Sequence, residues 1–217
     1  MVDEGHIGVD ESGKGDFFGP LVIAACYVGP EHLAELEGVR DSKKLTDPVA
    51  LRLAGAIRQT CPLAVIAIGP AKYNELYEKL RNLNKILAWG HARAIENVLE
   101  QQPCELVISD QFADPAGLKR QLFEKGRRVE LRSVVRAEAD IAVAAASVLA
   151  RAEFLRKLAA LSDEIGVRLP KGASPPVIEA GAAVVRKHGV EGLARVAKLH
   201  FKTRIEVLAR AGMSGTQ

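Results

Sequence analysis

From Ala139 to Leu161 the chain reads ADIAVAAASVLARAEFLRKLAAL, a stretch of good helix formers with apolar side chains on most sides of a 3.6-residue repeat. Such a helix cannot lie on a surface, so other elements have to surround it. The material for that lies upstream. HIGVD and PLVIAACYV flank a glycine-rich turn, and PLAVIAIG and CELVISD are further short apolar runs of β type. Helical patterns fall between them. TDPVALRLAGAIRQT has Thr46 in the N-cap position and Pro48 in its first turn. NKILAWGHARAIENVLEQQ places Ile86, Leu87, Ala94, Ile95 and Val98 at helical spacing, with a local weak point at Gly90. GVRLPKGASPP reads as a loop, and two or three short basic helices follow it. Strands first, helices interleaved and helices alone at the end predict an α/β core over residues 1–165. Residues 166–217 are then a C-terminal helical extension packed on the same domain.

A chain of 217 residues with 48% hydrophobic content can bury a sizeable core without covalent staples. Cys26, Cys61 and Cys104 stand singly, odd in number and without CxxC spacing, which predicts reduced, buried thiols in a cytoplasmic protein. No run approaches the roughly 20 apolar residues of a membrane span, and MVDEGHIGVD carries acids where a secretory signal carries bases. Charge is uneven. Residues 1–150 hold 18 Lys and Arg against 21 Asp and Glu, whereas residues 151–217 hold 12 against 6. A basic C-terminal third suits a polyanionic partner, and it also fits a set of solvated helix faces.

The chemistry concentrates in carboxylates. In GVDESGKGDFFGP, Asp10 and Glu11 stand next to each other ahead of Gly13, Lys14 and Gly15. Neighbours on a regular strand point to opposite faces, so both reach one site only if the backbone turns there, a freedom that Gly13 and Gly15 supply. The pair also fits a solvated strand end. Asp110 closes the apolar run ELVISD, at the end of a strand, where α/β folds place ligand sites; it could equally cap the next helix. RAEAD offers Glu138 and Asp140, about 200° apart if both are helical, and the pattern alone does not choose between them. Four such carboxylates would repel each other strongly. Two divalent cations about 4 Å apart remove that repulsion and suit phosphodiester hydrolysis. The donors are hard oxygens, as Mg²⁺ prefers, and no HxxxH or Cys/His set suggests zinc.

Taken in order, GVDESGKGDFFGPLVIAA, DSKKLT, NLNKILAWGHARAIENVL, VISDQF and RAEADIAVAAASVLAR resemble the type 2 ribonucleases H, that is ribonucleases HII and HIII. The match runs from about Gly8 to LPKGAS. The resemblance implies a ribonuclease H-like fold, a central mixed five-stranded sheet flanked by helices with C-terminal helices added. It also implies Mg²⁺- or Mn²⁺-dependent cutting of the RNA strand of an RNA–DNA hybrid, leaving 3′-hydroxyl and 5′-phosphate ends. GDFFGP, SDQF and LPKGA are similar to the HIII branch, whose fourth acid is Glu; on that basis Glu138 is the ligand and Asp140 a surface or capping residue. Seven residues precede the motif, so the chain is read as that branch's catalytic domain without its usual N-terminal domain, which resembles the TATA-binding protein. It is then either a natural short form or a trimmed piece.

Roles carried over from the family are these. Asp10 bridges two metals, and Glu11, Asp110 and Glu138 complete the set. Ser12, Gly13, Lys14 and Gly15 meet the sugar-phosphate near the scissile ribonucleotide, which explains a loop for anions beside a pair of acids. Ser42 and Lys43 match a phosphate-contacting segment, Lys171 lies in the late loop, and Asn82 and Asn84 are candidates for contact with the substrate strands. His91, on the same helical pattern, reads first as a packed or surface histidine and only second as a direct participant; His188 and His200 rank lower. A monomer is expected, with no membrane and no protein partner. The rival readings are incision at single ribonucleotides embedded in DNA, as in ribonuclease HII, and a hybrid-binding module without catalysis.

Overall fold

The computed structural model of the chain describes residues 5–39, 45–110, 115–134 and 137–213, without the side chains of Pro115 and Glu138. Among the described residues five strands form one sheet: β1 (His6–Ser12), β2 (Leu21–Val28), β3 (Leu63–Ile68), β4 (Leu106–Asp110) and β5 (Glu130–Val134), in the order β3-β2-β1-β4-β5. β1 runs antiparallel to β2 and parallel to β4, and β4 runs parallel to β5, so the sheet is mixed as expected. The helices are α1 (Asp47–Thr60), α2 (Pro70–Leu80), α3 (Leu83–Leu99), α4 (Pro115–Gln121), α5 (Ile141–Ile165), α6 (Pro175–Val196) and α7 (Thr203–Arg210). No helix among the described residues is long and apolar enough to cross a membrane.

The chain divides into two compact units. One comprises Met1–Ser12, Val22–Ile66 and Asn82–Glu153; the other comprises Gly13–Leu21, Ala67–Arg81 and Phe154–Gln217. In the first, β1 alternates faces, with Gly8 and Asp10 on one side and Val9 and Glu11 on the other. A Cβ at Gly8 would lie 2.1 Å from the backbone of Ala142, so α5 rests directly on that face. Ile23, the cross-strand partner of Glu11, meets α3 on the opposite face. The weak point expected at Gly90 is instead the contact itself, since a Cβ there would come within 2.7 Å of Ile23 Cδ1. The N-terminal half of α5 is buried on all sides from Ala142 to Ala150, as its composition predicts. Beyond Arg151 exposed positions such as Arg156 and Lys157 recur, so only part of the helix is a core element.

In the second unit, α2 docks on α6 through Asn74. Its amide nitrogen donates to the carbonyls of Ala194 and Ala197 at 3.2 and 3.0 Å, and its oxygen accepts from Leu199 N–H at 2.9 Å. The loop expected over GVRLPKGASPP ends sooner than read, because Pro175 already opens α6 with Ser174 as its N-cap residue. All three cysteines are free thiols; Cys26 and Cys61 are buried as expected, whereas Cys104 is only half-buried.

Candidate active site

Asp10 and Glu11 lie within the regular part of β1, paired with Ala24 and Ile23, and the strand continues to Ser12. The turn expected at the acids therefore comes after them. It is made at Gly13, whose φ is +85° and where a Cβ would strike the carbonyl oxygen of Pro20; Gly15 has an ordinary φ and open space around it. As neighbours on a strand, the two acids engage different helices. Asp10 hydrogen-bonds Ser147 of α5 and accepts from the backbone N–H of Glu11 at 2.8 Å. Glu11 Oε2 lies 3.1 Å from Nε2 of His91 on α3.

The pairing of β1 with β4 matches Val9 to Ser109, and Asp10 and Asp110 are the next residues on the two parallel strands. They leave the sheet at the same end and on the same face. Asp110 Oδ1 accepts from Ala137 N–H at 3.4 Å, which holds the short 3₁₀ turn Ala137–Ala139 against it. Glu138 occupies the middle of that turn, and its side chain lies outside the described residues. Asp140 does different work. Its Oδ1 accepts from the N–H groups of Ala142 and Val143 at 3.0 Å each, and its Oδ2 meets His6 Nε2 at 2.8 Å. It is the N-cap of α5.

Electrostatics bear on whether these groups suit a cation. Burial, with the charge of Glu11 beside it, raises the Asp10 pKa to about 6, and the hydrogen bonds from Ser147 and the Glu11 N–H offset this only in part. Its charge is thus poorly compensated by the protein alone. Carboxylate oxygens with excess negative charge suit a hard divalent cation such as Mg²⁺ or Mn²⁺. Among the described residues no group of three or more His, Cys, Asp and Glu is gathered at metal-holding distance. The donors come as the adjacent Asp10 and Glu11 and the separately held Asp110.

The predicted substrate contacts divide between surfaces. Ser12 ends β1 and is half-exposed; Gly13 is buried, Lys14 is half-buried and Gly15 is exposed in the following turn. Asn82 and Asn84 are exposed at the start of α3, where Asn82 is the N-cap and its Oδ1 accepts from the N–H groups of Asn84 and Lys85 at 2.9 and 3.3 Å. Lys171 is exposed. Ser42 and Lys43 lie outside the described residues.

Within the second unit the glycine loop is latched from behind. Asp16 Oδ1 accepts from Gly172 N–H at 2.6 Å, and Phe17 N–H donates to the Gly172 carbonyl at 2.9 Å. Lys198 N–H donates to the Phe17 carbonyl at 2.8 Å, while its Nζ reaches the carbonyls of Phe18 and Gly19. Sequence reasoning singled out neither Asp16 nor Lys198, and it missed Ser147. The signal for Ser147 was present, since it is the only polar residue in IAVAAASVLA.

A family model described as Ribonuclease HII matches residues 7–204. The ribonuclease HIII of Protochlamydia amoebophila (strain UWE25) is 48% identical over 209 residues, covering 95% of this chain and 69% of that protein. The ribonuclease HIII of Chlamydia pneumoniae is 46% identical over 207 residues, covering 93% and 70%. Among solved structures, Bst-RNase HIII in complex with Mn²⁺ superposes with a TM-score of 0.89 at 38% identity, covering 96% of this chain and 70% of that one. The ribonuclease H2 of Pyrococcus horikoshii OT3, with a TM-score of 0.77 and 22% identity, shares the fold.

Proposed function

This chain belongs to the type 2 ribonuclease H family and is a ribonuclease H enzyme, and from that premise we propose that it hydrolyses the RNA strand of RNA–DNA hybrids in the HIII manner. The observation that carries the reading is the register of β1 and β4, which brings Asp10 and Asp110 out at one end of the sheet on one face. Asp10, Asp110 and Glu138 would hold Mg²⁺ or Mn²⁺, and Glu11 would complete the set: it leaves β1 on the other face, but one residue from the strand's end and close enough for its charge to raise the Asp10 pKa. Bound there, the cations would supply activation of the attacking water and charge stabilisation at the departing 3′ oxygen. The chain's own residues supply position. Ser147 orients the Asp10 carboxylate, and the Ala137 N–H orients that of Asp110. The N–H groups of the Ser12–Gly15 segment, with Lys14, receive the sugar-phosphate, while Asn82, Asn84 and Lys171 contact the strands farther out. Water adds to the phosphorus and the P–O3′ bond breaks, leaving a 3′-hydroxyl and a 5′-phosphate.

The test is a cleavage map on a labelled hybrid with Mg²⁺, with Mn²⁺ and with EDTA. Cutting should require the metal, and each product should carry a 5′-phosphate. Equal cutting in EDTA, or 2′,3′-cyclic ends, would overturn the mechanism.

A further inference from the structure

His91 is fully buried on the apolar side of α3, in line with Leu87, Ala94, Ile95 and Val98, all of them buried. An imidazole in that stripe needs polar company, because an unpartnered polar group in a core costs a few kcal/mol. Its company is Glu11, whose Oε2 lies 3.1 Å from His91 Nε2. Two consecutive residues of α3 thus meet two cross-strand partners of the sheet, Gly90 against Ile23 and His91 against Glu11. The bare Cα of Gly90 sets how near the helix lies, and this nearness delivers the imidazole to the carboxylate.

We propose that His91 is a positioning residue for the metal site: its Nε2–H fixes the Glu11 carboxylate before a divalent cation arrives. The proposal rests on the reading of Glu11 as a metal ligand. Glutamate has freely rotating side-chain bonds, and a cation that must order them binds less tightly than one meeting a carboxylate already held. Packing supplies the rigidity of the holder, since a side chain without solvent exposure in a helix stacked on the sheet has nowhere to swing. His91 touches neither substrate nor metal in this role.

The experiment is Mn²⁺ titration of the full chain without nucleic acid, followed by electron paramagnetic resonance of the free ion. Glutamine places an amide nitrogen near the position of Nε2, whereas asparagine reaches only as far as Nδ1. His91→Gln should therefore keep Mn²⁺ affinity within a few-fold of wild type, and His91→Asn should weaken it by about 10–100-fold. Combined with Glu11→Gln, His91→Asn should add little further loss, because both changes break one contact. Thermal unfolding of the metal-free variants separates packing from positioning, since lost packing lowers the melting temperature without distinguishing the two amides by metal affinity. Wild-type Mn²⁺ affinity in His91→Asn, alongside a weakened Glu11→Gln, would overturn the positioning role and leave the metal site standing. Wild-type affinity in Glu11→Gln would remove Glu11 from the metal set and the proposal with it.

Discussion

The ammonium of Lys198 lies 2.7 Å from the carbonyl oxygen of Gly19 in a side chain that is 1% exposed. Burial lowers its pKa from 10.5 to about 7, with Asp16 pulling the other way; Tyr73 and His200 are its other polar neighbours. The folded state therefore releases this proton before the unfolded state does. Between about pH 7 and 10.5 the unfolded chain holds more protons, so the Lys198 contribution to stability rises with pH in that window and is level below it. Denaturant unfolding at pH 7 and pH 9 should show wild type gaining about 2 kcal/mol relative to Lys198→Met. Parallel pH profiles for the two proteins would show that Lys198 is charged throughout.

Replacing Asp10 with Asn should lower turnover by orders of magnitude while leaving the metal-free fold at least as stable. The carboxylate is held in a setting that disfavours its charge, and the amide removes that charge while keeping an acceptor for Ser147. Turnover of Asp10→Asn near that of wild type in Mg²⁺ would sink the proposed site.

Glu138 and Asp140 should separate by phenotype. Glu138→Ala should abolish cutting with little change in stability. Asp140→Ala should retain Mn²⁺ affinity and lose about 1–2 kcal/mol of stability, as expected for an N-cap that also pairs with His6. Asp140→Asn keeps the cap and should lie closer to wild type. Loss of Mn²⁺ binding in Asp140→Asn but not in Glu138→Ala would exchange their roles.

Gly90→Ala sets two effects against each other. Helix propensity favours alanine by about 1 kcal/mol. Overpacking against Ile23, where the new Cβ would sit 2.7 Å from Cδ1, costs about 1–3 kcal/mol. The variant should be less stable than wild type, and Gly90→Ala combined with Ile23→Val should recover part of the loss. A more stable Gly90→Ala would mean that α3 moves off the sheet freely.

Substrate choice should follow the late loop, where Ala173 and Ser174 succeed Lys171 and Gly172 and no aromatic ring is present to stack on a deoxyribose. Lys14 gives a point charge where arginine would give a planar fork. Recognition should then rely on 2′-hydroxyl and phosphate contacts over several nucleotides. Cutting should occur at several positions within an all-RNA strand, be weak at one embedded ribonucleotide, and fall as salt rises. Equal rates on the two substrates would favour the HII manner of cutting.

Local chemistry settled much of this protein in advance. The apolar runs that became β1, β2, β3 and β4 were legible because each is short and β-rich, and α3 and the buried half of α5 because their apolar residues recur at helical spacing. β5 was not, since ELRSV is an edge strand of half-exposed and exposed residues with no apolar run to mark it. α2 was hidden for a similar reason, being a mostly polar helix hydrogen-bonded to the end of α6 through Asn74. The candidate acids stood out as a pair ahead of a glycine loop, one at a strand end and one at the entry to a buried helix, but their arrangement depended on register. Only the pairing of β1 with β4 brings Asp10 beside Asp110, 100 residues apart in the chain, because strand pairing is a long-range choice that no local pattern encodes. Tertiary packing likewise decided the partners of Asp10 and Glu11. Alternation along β1 sends them to opposite faces, and the helices stacked there supply Ser147 to one and His91 to the other.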